Sequence, residues 1–585
     1  MVTGPKSFWR RNRWIFWVAG GFCVVLAGLL VFASILARRA EPYLRARIVQ
    51  GLQDRFHARV ELDGFHMSVR NGLNGHWGVW AQGKGLRIWP PAEVAGVAVH
   101  GTAGTAVPGD GADQPLIRLD EFSFHAPLIY ESGKPFHISV VELKGLSVDL
   151  PPKSYFAHAS AGTRWAAASK TGAMGGATLL QFDVESLDCS DAHLVLETNK
   201  PGKLPMGIAI AHFKVQNIRP AEALWFNAEL TNPLPTGTIH TTGSFGPWDG
   251  FDLGASQLAG DYQFNHADLG DFKEIGGILS STGHYQGTLR DLLVDGETDT
   301  PDFRLEPFDT PLPLHTKFHA RVDGTNGDTW LEPVDATLAH SHFTAQGQIV
   351  RVFARTAGSK DTLHSLGHDI ALNVNVGKAH IEDFLRLASH GGTPVLNGLV
   401  NMQAALHIPP GHSPVHERMQ LKGNFVLDQA QFSDPKIQGG IKQLSLRGQG
   451  RPGDVKTTDP ESIDSKMTGN FNMEQGVITL PAITYCVPGA TIELKGTYGV
   501  LSGGLDFVGN AKMQATVSQM VGGWKGLLLS PLDSYLKKDG AGTEVPIHIR
   551  GTREQPQFGI DFDRIRLKTA KSQQDNSENQ EQNQQ

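Results

Sequence analysis

Along most of this chain, apolar and polar residues alternate with a period of two. Leu312, Leu314, Thr316, Phe318, Ala320 and Val322 take turns with Pro313, His315, Lys317, His319 and Arg321. Val400, Met402, Ala404, Leu406 and Ile408 repeat the pattern. So do Leu372, Val374 and Val376, then Leu505, Phe507, Gly509, Ala511 and Met513, and then Val545, Ile547 and Ile549. Successive side chains of extended backbone point to opposite sides, so each run predicts a strand with one apolar and one polar face. Runs of this kind, separated by Gly, Asn, Asp and Pro turns, predict about twenty to twenty-eight strands.

Many of these strands carry a glycine two residues after an apolar one. The units are Leu421-Lys422-Gly423-Asn424-Phe425, Met467-Thr468-Gly469-Asn470-Phe471, Leu494-Lys495-Gly496-Thr497-Tyr498 and Ile549-Arg550-Gly551-Thr552, with Thr241-Thr242-Gly243-Ser244-Phe245 similar. Glycine weakens a strand, so its recurrence predicts a bend or a close approach repeated from unit to unit. Repeated strand units fit one long solenoid-like sheet better than separate globules.

Helical periods are few. Ile381, Phe384, Leu385 and Ala388 predict a helix over 379–390, and a less regular one is expected over 517–538, interrupted by Gly522, Gly523 and Pro531. Leu44, Ile48, Leu52 and Phe56 recur every fourth residue and predict an amphipathic helix over 40–57. It can plug the end of the β core or, with Arg45, Arg47 and Arg55, lie on a membrane surface. The alternation of strands and helices that builds a nucleotide-binding sheet is absent.

Before that helix, Trp14–Ala37 is a run of 24 residues without a charge. As a helix it would reach ~36 Å, enough to cross the ~30 Å hydrocarbon core of a bilayer. It is longer than the apolar part of a cleaved signal and ends in Arg38 and Arg39, so an uncleaved anchor is expected. Basic residues balance on its two sides, but the short leading segment, residues 1–13, carries no acid. That segment is expected to stay cytoplasmic. The rest would then face a bacterial periplasm or an equivalent exoplasmic space.

Composition narrows the functional classes. Hydrophobic residues make up 40% and charged residues 19% of 585, which suits a large core. A net charge of −7 argues against nucleic acid as a partner. Three cysteines, of which Cys23 falls in the anchor, cannot make a disulfide framework; Cys189 and Cys486 could pair only if the fold brings them together. Residues 92–115, 151–177 and 354–367 read as loop insertions, with further breaks at 409–417 and 450–464. The Gln- and Asn-rich tail 568–585 reads as disordered.

Catalytic signatures are missing. Gly78, Gly83 and Lys84 fit most of a phosphate-binding loop, but Gly85 stands where a Mg²⁺-binding hydroxyl is needed and no helix follows, so a plain turn is expected. Among 24 histidines, His340 with His342 and His315 with His319 could share strand faces and bind Zn²⁺ if further ligands converged. Solvated surface residues are the simpler expectation, as they are for Asp561 and Asp563. No metal, cofactor or enzymatic activity is implied.

The segments Leu396-Asn397-Gly398-Leu399-Val400, Leu421–Phe425, Ser445-Leu446-Arg447-Gly448-Gln449-Gly450 and Gly542–Thr552, the last followed by Gln555-Pro556-Gln557-Phe558, resemble the AsmA-like C-terminal region over 396–567. One span, a short amphipathic helix and then strands also resemble the AsmA layout, with 58–395 fitting by pattern alone. The resemblance implies an inner-membrane-anchored periplasmic protein, related to repeating β-groove lipid-transfer proteins and linked to outer-membrane biogenesis. The fold class expected is mainly β: an N-terminal transmembrane helix, then an elongated, twisted antiparallel sheet or groove of repeated strands with a few short helices.

Two functions from different classes follow. In one, the apolar face is a trough that binds or conducts phospholipid, lined by Leu314, Phe318, Val322, Met402, Leu406, Phe425 and Phe507. In the other, the face closes on itself and the protein is a non-catalytic scaffold or assembly factor for outer-membrane proteins. Membrane phospholipid and envelope proteins are the partners expected.

Overall fold

The computed structural model describes residues 41–53 (without 44 and 47), 58–71, 77–89, 115–127, 136–150, 182–196, 206–218, 222–247 (without 234), 253–355 (without 273), 363–452, 463–521 and 542–561. The anchor Trp14–Ala37, the tail 568–585, the expected loop 151–177 and nearly all of 92–115 lie outside them. Among the described residues no helix is long and apolar enough to cross a membrane.

The described chain is mainly β and forms a curled half-barrel sheet of 24 strands with few short helices. The first eight strands are β1 (Val60–Asn71), β2 (Trp77–Ile88), β3 (Ile117–Pro127), β4 (Phe136–Leu150), β5 (Phe182–Leu196), β6 (Met206–Ile218), β7 (Leu224–Pro233) and β8 (Thr236–Phe245). The next eight are β9 (Gln257–Asp268), β10 (Ile275–Gly276), β11 (Ile278–Thr288), β12 (Asp291–Leu305), β13 (Leu312–Asp323), β14 (Asp328–Leu338), β15 (Ser341–Arg355) and β16 (Leu363–His380). The last eight are β17 (Leu396–Ile408), β18 (Gln420–Phe432), β19 (Lys466–Glu474), β20 (Val477–Val487), β21 (Ala490–Gly499), β22 (Gly504–Met513), β23 (Thr543–Thr552) and β24 (Pro556–Ile560). Each strand pairs with the next in sequence, except that β9 pairs with β11 and the two-residue β10 pairs with β12. All pairs are antiparallel but one: β4 and β5 run parallel. The expectation of a purely antiparallel sheet is corrected there. Local alternation does not encode strand direction, and the chain between these two strands is too long to be a hairpin.

The curl closes toward the apolar face. Apolar-face residues of β16–β18 meet those of β20–β22 in one cluster with Val376, Val400, Leu427, Tyr485 and Met513 fully or almost fully buried. Phe432 and Tyr485 stack edge-on at 6.0 Å, and the Tyr485 hydroxyl donates to the Ala430 carbonyl at 3.4 Å. Distant segments also touch. Thr310 Oγ1 donates to the Ser389 carbonyl at 2.6 Å, and His416 Nδ1 lies 2.8 Å from Glu274 Oε1.

Among the described residues after β16, four helices interrupt the strands: α1 (Ile381–Leu387), α2 (Val415–Arg418), α3 (Pro435–Gly448) and α4 (Val517–Val521). α1 is shorter than the expected 379–390, because β16 runs on through His380. α4 matches the first residues of the helix expected over 517–538, and 522–541 lie outside the described residues. α3 has no counterpart among the helices expected from periodicity, and the Ser445–Gly450 segment runs through its C-terminal end. Its start follows ordinary capping chemistry: the Asp434 side chain accepts from the backbone of Lys436 (2.7 Å) and Ile437 (3.2 Å), and Pro435 opens the helix. Ile441 and Leu444 then pack on the buried cluster. A second correction concerns 354–367. β15 and β16 pair as far as Arg355 and Leu363, so strand occupies both flanks of the expected loop.

The expected 40–57 helix is described at 41–53, beside the edge strand β1. The Arg45 guanidinium donates to the Leu62 carbonyl, and the Met67 backbone N–H donates to the Glu41 carboxylate at 3.1 Å. These bonds satisfy backbone groups that an edge strand otherwise leaves open.

Candidate functional site: the apolar face of the sheet

Residues directly opposite one another on paired strands point to the same side of the sheet. Following register from strand to strand therefore maps each face. One row runs unbroken through Phe65, Gly83, Phe122, Leu143, Cys189 and Phe213. It continues through Ala228, Thr241, Tyr262, Gly283, Gly296 and Phe318. In the C-terminal half, Phe343, Val376, Met402, Phe425, Gly469, Ile483, Leu494, Gly509 and Ile547 form another. No charged side chain occurs in either row.

All seven residues proposed from alternation lie on this face. Leu314, Phe318, Val322, Met402, Leu406 and Phe425 are half-buried, while Phe507 is buried. Met402 and Phe425 pack against the buried cluster of the C-terminal half, while Leu314, Phe318, Val322 and Leu406 stay partly open. In the C-terminal half the face is filled from β16 to β22, where Ile381 and Phe384 of α1, Ile441 and Leu444 of α3 and Met520 of α4 join the buried cluster, and in the N-terminal half Cys189, Val215, Ala228 and Tyr285 are buried on it.

The strand glycines explain how the face is paved. A Cβ built on Gly296 would stand 2.5 Å from Tyr262 Oη and 2.7 Å from Phe318 Cζ. At Gly423 it would meet Phe471 Cζ at 2.6 Å, at Gly469 Phe425 Cε1 at 2.9 Å, and at Gly83 Phe122 Cζ at 2.1 Å. Phe318, Phe471, Phe425 and Phe122 each lie against a glycine of the neighbouring strand, and the Tyr262 hydroxyl reaches Gly296 from two strands away. The close approach expected from the repeat is thus a ring over bare backbone, and it gives the face a low, continuous apolar floor.

Hydroxyls on this face are used within the protein. Tyr285 Oη meets Thr241 Oγ1 at 2.6 Å, Tyr262 Oη meets Ser281 Oγ at 3.1 Å, and Ser281 Oγ donates to the Glu297 carbonyl at 3.0 Å. Burial pushes the Tyr262, Tyr285 and Tyr485 phenols above their ordinary pKa, so they remain neutral. Cys189 is fully buried, and burial, with Asp188 and Asp191 adding, pushes its thiol up to about 11. Burial and the raised pKa both disfavour its thiolate. Cys486 is exposed, and both cysteines are free.

The polar face of the N-terminal half is a ladder of cross-strand ion pairs. Lys84 Nζ lies 2.7 Å from Glu121, His212 Nε2 2.8 Å from Asp188, Lys317 Nζ 2.7 Å from Glu297, and Arg321 Nε 3.2 Å from Asp291. Such exposed pairs each contribute at most about 1 kcal/mol. The near-match to a phosphate loop is corrected here: Gly78, Gly83 and Lys84 sit inside β2, not in a turn, and Lys84 is spent on Glu121. The histidines singled out above pair with carboxylates. His319 shares a hydrogen bond with Asp295, His315 is 4.0 Å from Glu297, and His342 is 3.9 Å from Asp335. His340 stands in the turn before β15, so it and His342 do not share a strand face. Among the described residues no three His, Cys, Asp or Glu side chains converge as a metal site would require. Asp561 ends the described chain, and Asp563 lies outside it.

No family model, no curated protein and no solved structure matches the chain.

Proposed function

We propose that the concave apolar face binds phospholipid acyl chains, and that the protein is an AsmA-like, inner-membrane-anchored periplasmic component that holds or conducts lipid in envelope biogenesis. The observation that carries this reading is that Leu314, Phe318, Val322 and Leu406 stay only half-buried on one uncharged, ring-paved surface. Exposed apolar area of that extent is costly in water. Each methylene of an acyl chain laid on it would contribute about 0.8 kcal/mol. Apart from β10 the sheet has 23 strands in line, and 22 spacings of ~4.8 Å give ~105 Å measured across the strands. An elongated trough of that reach would carry lipid part of the way across an envelope, with Trp14–Ala37 as its tether. The chemistry is binding, and no catalytic group is assigned.

The scaffold reading draws on one observation, the closed cluster that runs from β16 to β22 and that α1, α3 and α4 complete. It explains that half of the sheet and leaves Leu314, Phe318 and Val322 partly open. Native mass spectrometry of the purified full chain separates the two. Co-purified phospholipid, released when the protein unfolds, is expected from a trough; a lipid-free protein that resists loading from vesicles would favour the scaffold. For the topology, a cysteine at position 455 should react with an impermeant reagent once the outer membrane alone is opened. A need for inner-membrane lysis would reverse it.

A further inference from the structure

The polar face changes character in the C-terminal half. There, a groove of about 750 Å³ crosses β14–β20 between Pro333 and Pro481. Its floor is backbone, from residues such as Ala345, Val374 and Ala404 whose side chains point to the apolar face. Its walls are two cross-strand rows. One row is Thr344, Asn375, Gln403, Asn424 and Asn470, in register across five consecutive strands. The other contains Gln346, Asn373, Lys422 and Asn472. Where β2–β13 present ion pairs on this face, the groove presents amides, and Lys422 is the one charged side chain in its lining among the described residues.

Apart from Asn472, these amides are left unused among the described residues. Asn472 donates to Glu474 at 3.2 Å, but Asn375, Gln403, Asn424 and Asn470 make no side-chain hydrogen bond among the described residues. An amide offers two donors and an acceptor without charge. That set complements hydroxyl and acetamido groups, and it gives no advantage to phosphates, which need basic side chains, or to cations. The stations repeat every ~4.8 Å over four strands, about 14 Å in all, which suits an extended chain better than a single small molecule. Trp330, opposite Gln348 on the same face and 38% exposed, stands at the β14 end and offers an apolar surface on which a sugar ring can stack.

We propose that this groove binds a neutral, extended glycan strand. The site is on the opposite side of the sheet from the lipid-binding face, so a protein loaded with lipid could hold a polysaccharide at the same time. The test is isothermal titration of the full chain, in detergent micelles, with chitohexaose and with cellohexaose. Binding of at least one, with a Kd below about 1 mM, is expected. The double variant Asn375→Ala, Asn424→Ala should weaken it about tenfold or more, with melting temperature and lipid content unchanged, because both side chains are exposed and unbonded. Asn424→Asp, which keeps the shape and adds a charge, should also weaken it. Gln263→Ala, on the ion-paired part of the same face, should bind as wild type. Absence of binding by the wild-type chain to both sugars at millimolar concentration overturns the proposal, and so does equal binding by the wild type and both groove variants.

Discussion

Placing a carboxylate on the apolar face distinguishes an open trough from a closed core, and the structure sets the size of the contrast. Leu406 is half-buried and Leu427 is 1% exposed, on the same face of adjacent strands. Full burial of a leucine contributes about 1.5–3 kcal/mol, so Leu406→Asp forfeits on the order of 1 kcal/mol of burial and leaves its charge in contact with water. Leu427→Asp removes a packed side chain at about 2–5 kcal/mol and buries a charge at a further several kcal/mol. The sum is comparable to the ~5–15 kcal/mol that holds a whole domain together. Leu406→Asp, and Phe318→Asp by the same argument, should therefore express and melt within a few degrees of wild type, but lose co-purified phospholipid and fail to rescue an envelope-permeability defect. Leu427→Asp should not fold. The assay is thermal melting beside lipid extraction on the same preparations. If Leu406→Asp and Phe318→Asp unfold as Leu427→Asp does, the face is a closed core at those positions. If they fold and keep their lipid, lipid does not pass there.

The glycines give a prediction of two signs. Gly296→Val drives a side chain into Tyr262 and Phe318 and should cost about 1–3 kcal/mol in a denaturant melt, and Gly509→Ala should cost more, because its Cβ would lie 1.9 Å from the Glu493 carbonyl, which cannot turn away. Gly439→Ala in α3 meets nothing within 4 Å and should stabilise by about 0.5–1 kcal/mol; a loss there would contradict the helix. Lys84→Ala should leave nucleotide binding at background and change stability by less than about 1 kcal/mol, since it removes one exposed ion pair; an ATP signal abolished by it would restore the phosphate loop. In a Cys23→Ser background, a thiol reagent at pH 8 should modify Cys486 quickly and Cys189 only on unfolding, because burial holds that thiol near 11; two fast-reacting thiols would contradict the burial.

The strands of this fold were legible because one physical fact, the two-residue repeat of extended backbone, is written at every step of Leu312–Val322 or Val400–Ile408. The same alternation places Phe318 and Leu406 on one face. It does not say what lies over that face, since an apolar side chain in a core and one in an open trough obey the same pattern. The strand glycines were legible as a close approach, but the partner was not, because Phe471 over Gly423 is set by register between strands 48 residues apart. α3 was hidden by Gly439 and Gly440, which interrupt the helical pattern, although Asp434-Pro435 was a usable start signal. The parallel β4–β5 pair left no trace in local sequence, and the amide groove became visible only once register aligned Asn375, Gln403, Asn424 and Asn470.

The central claim is that lipid lies against the apolar face in the cell, and site-specific photocrosslinking tests it most directly. A benzophenone amino acid replaces Phe318 or Met402 on that face and, in parallel, Lys317 or Gln403 on the other, in cells whose phospholipids carry ³²P. After irradiation, labelled lipid should be attached to the protein from positions 318 and 402 and not from 317 and 403. Equal labelling from both faces, or none from either, would contradict the account.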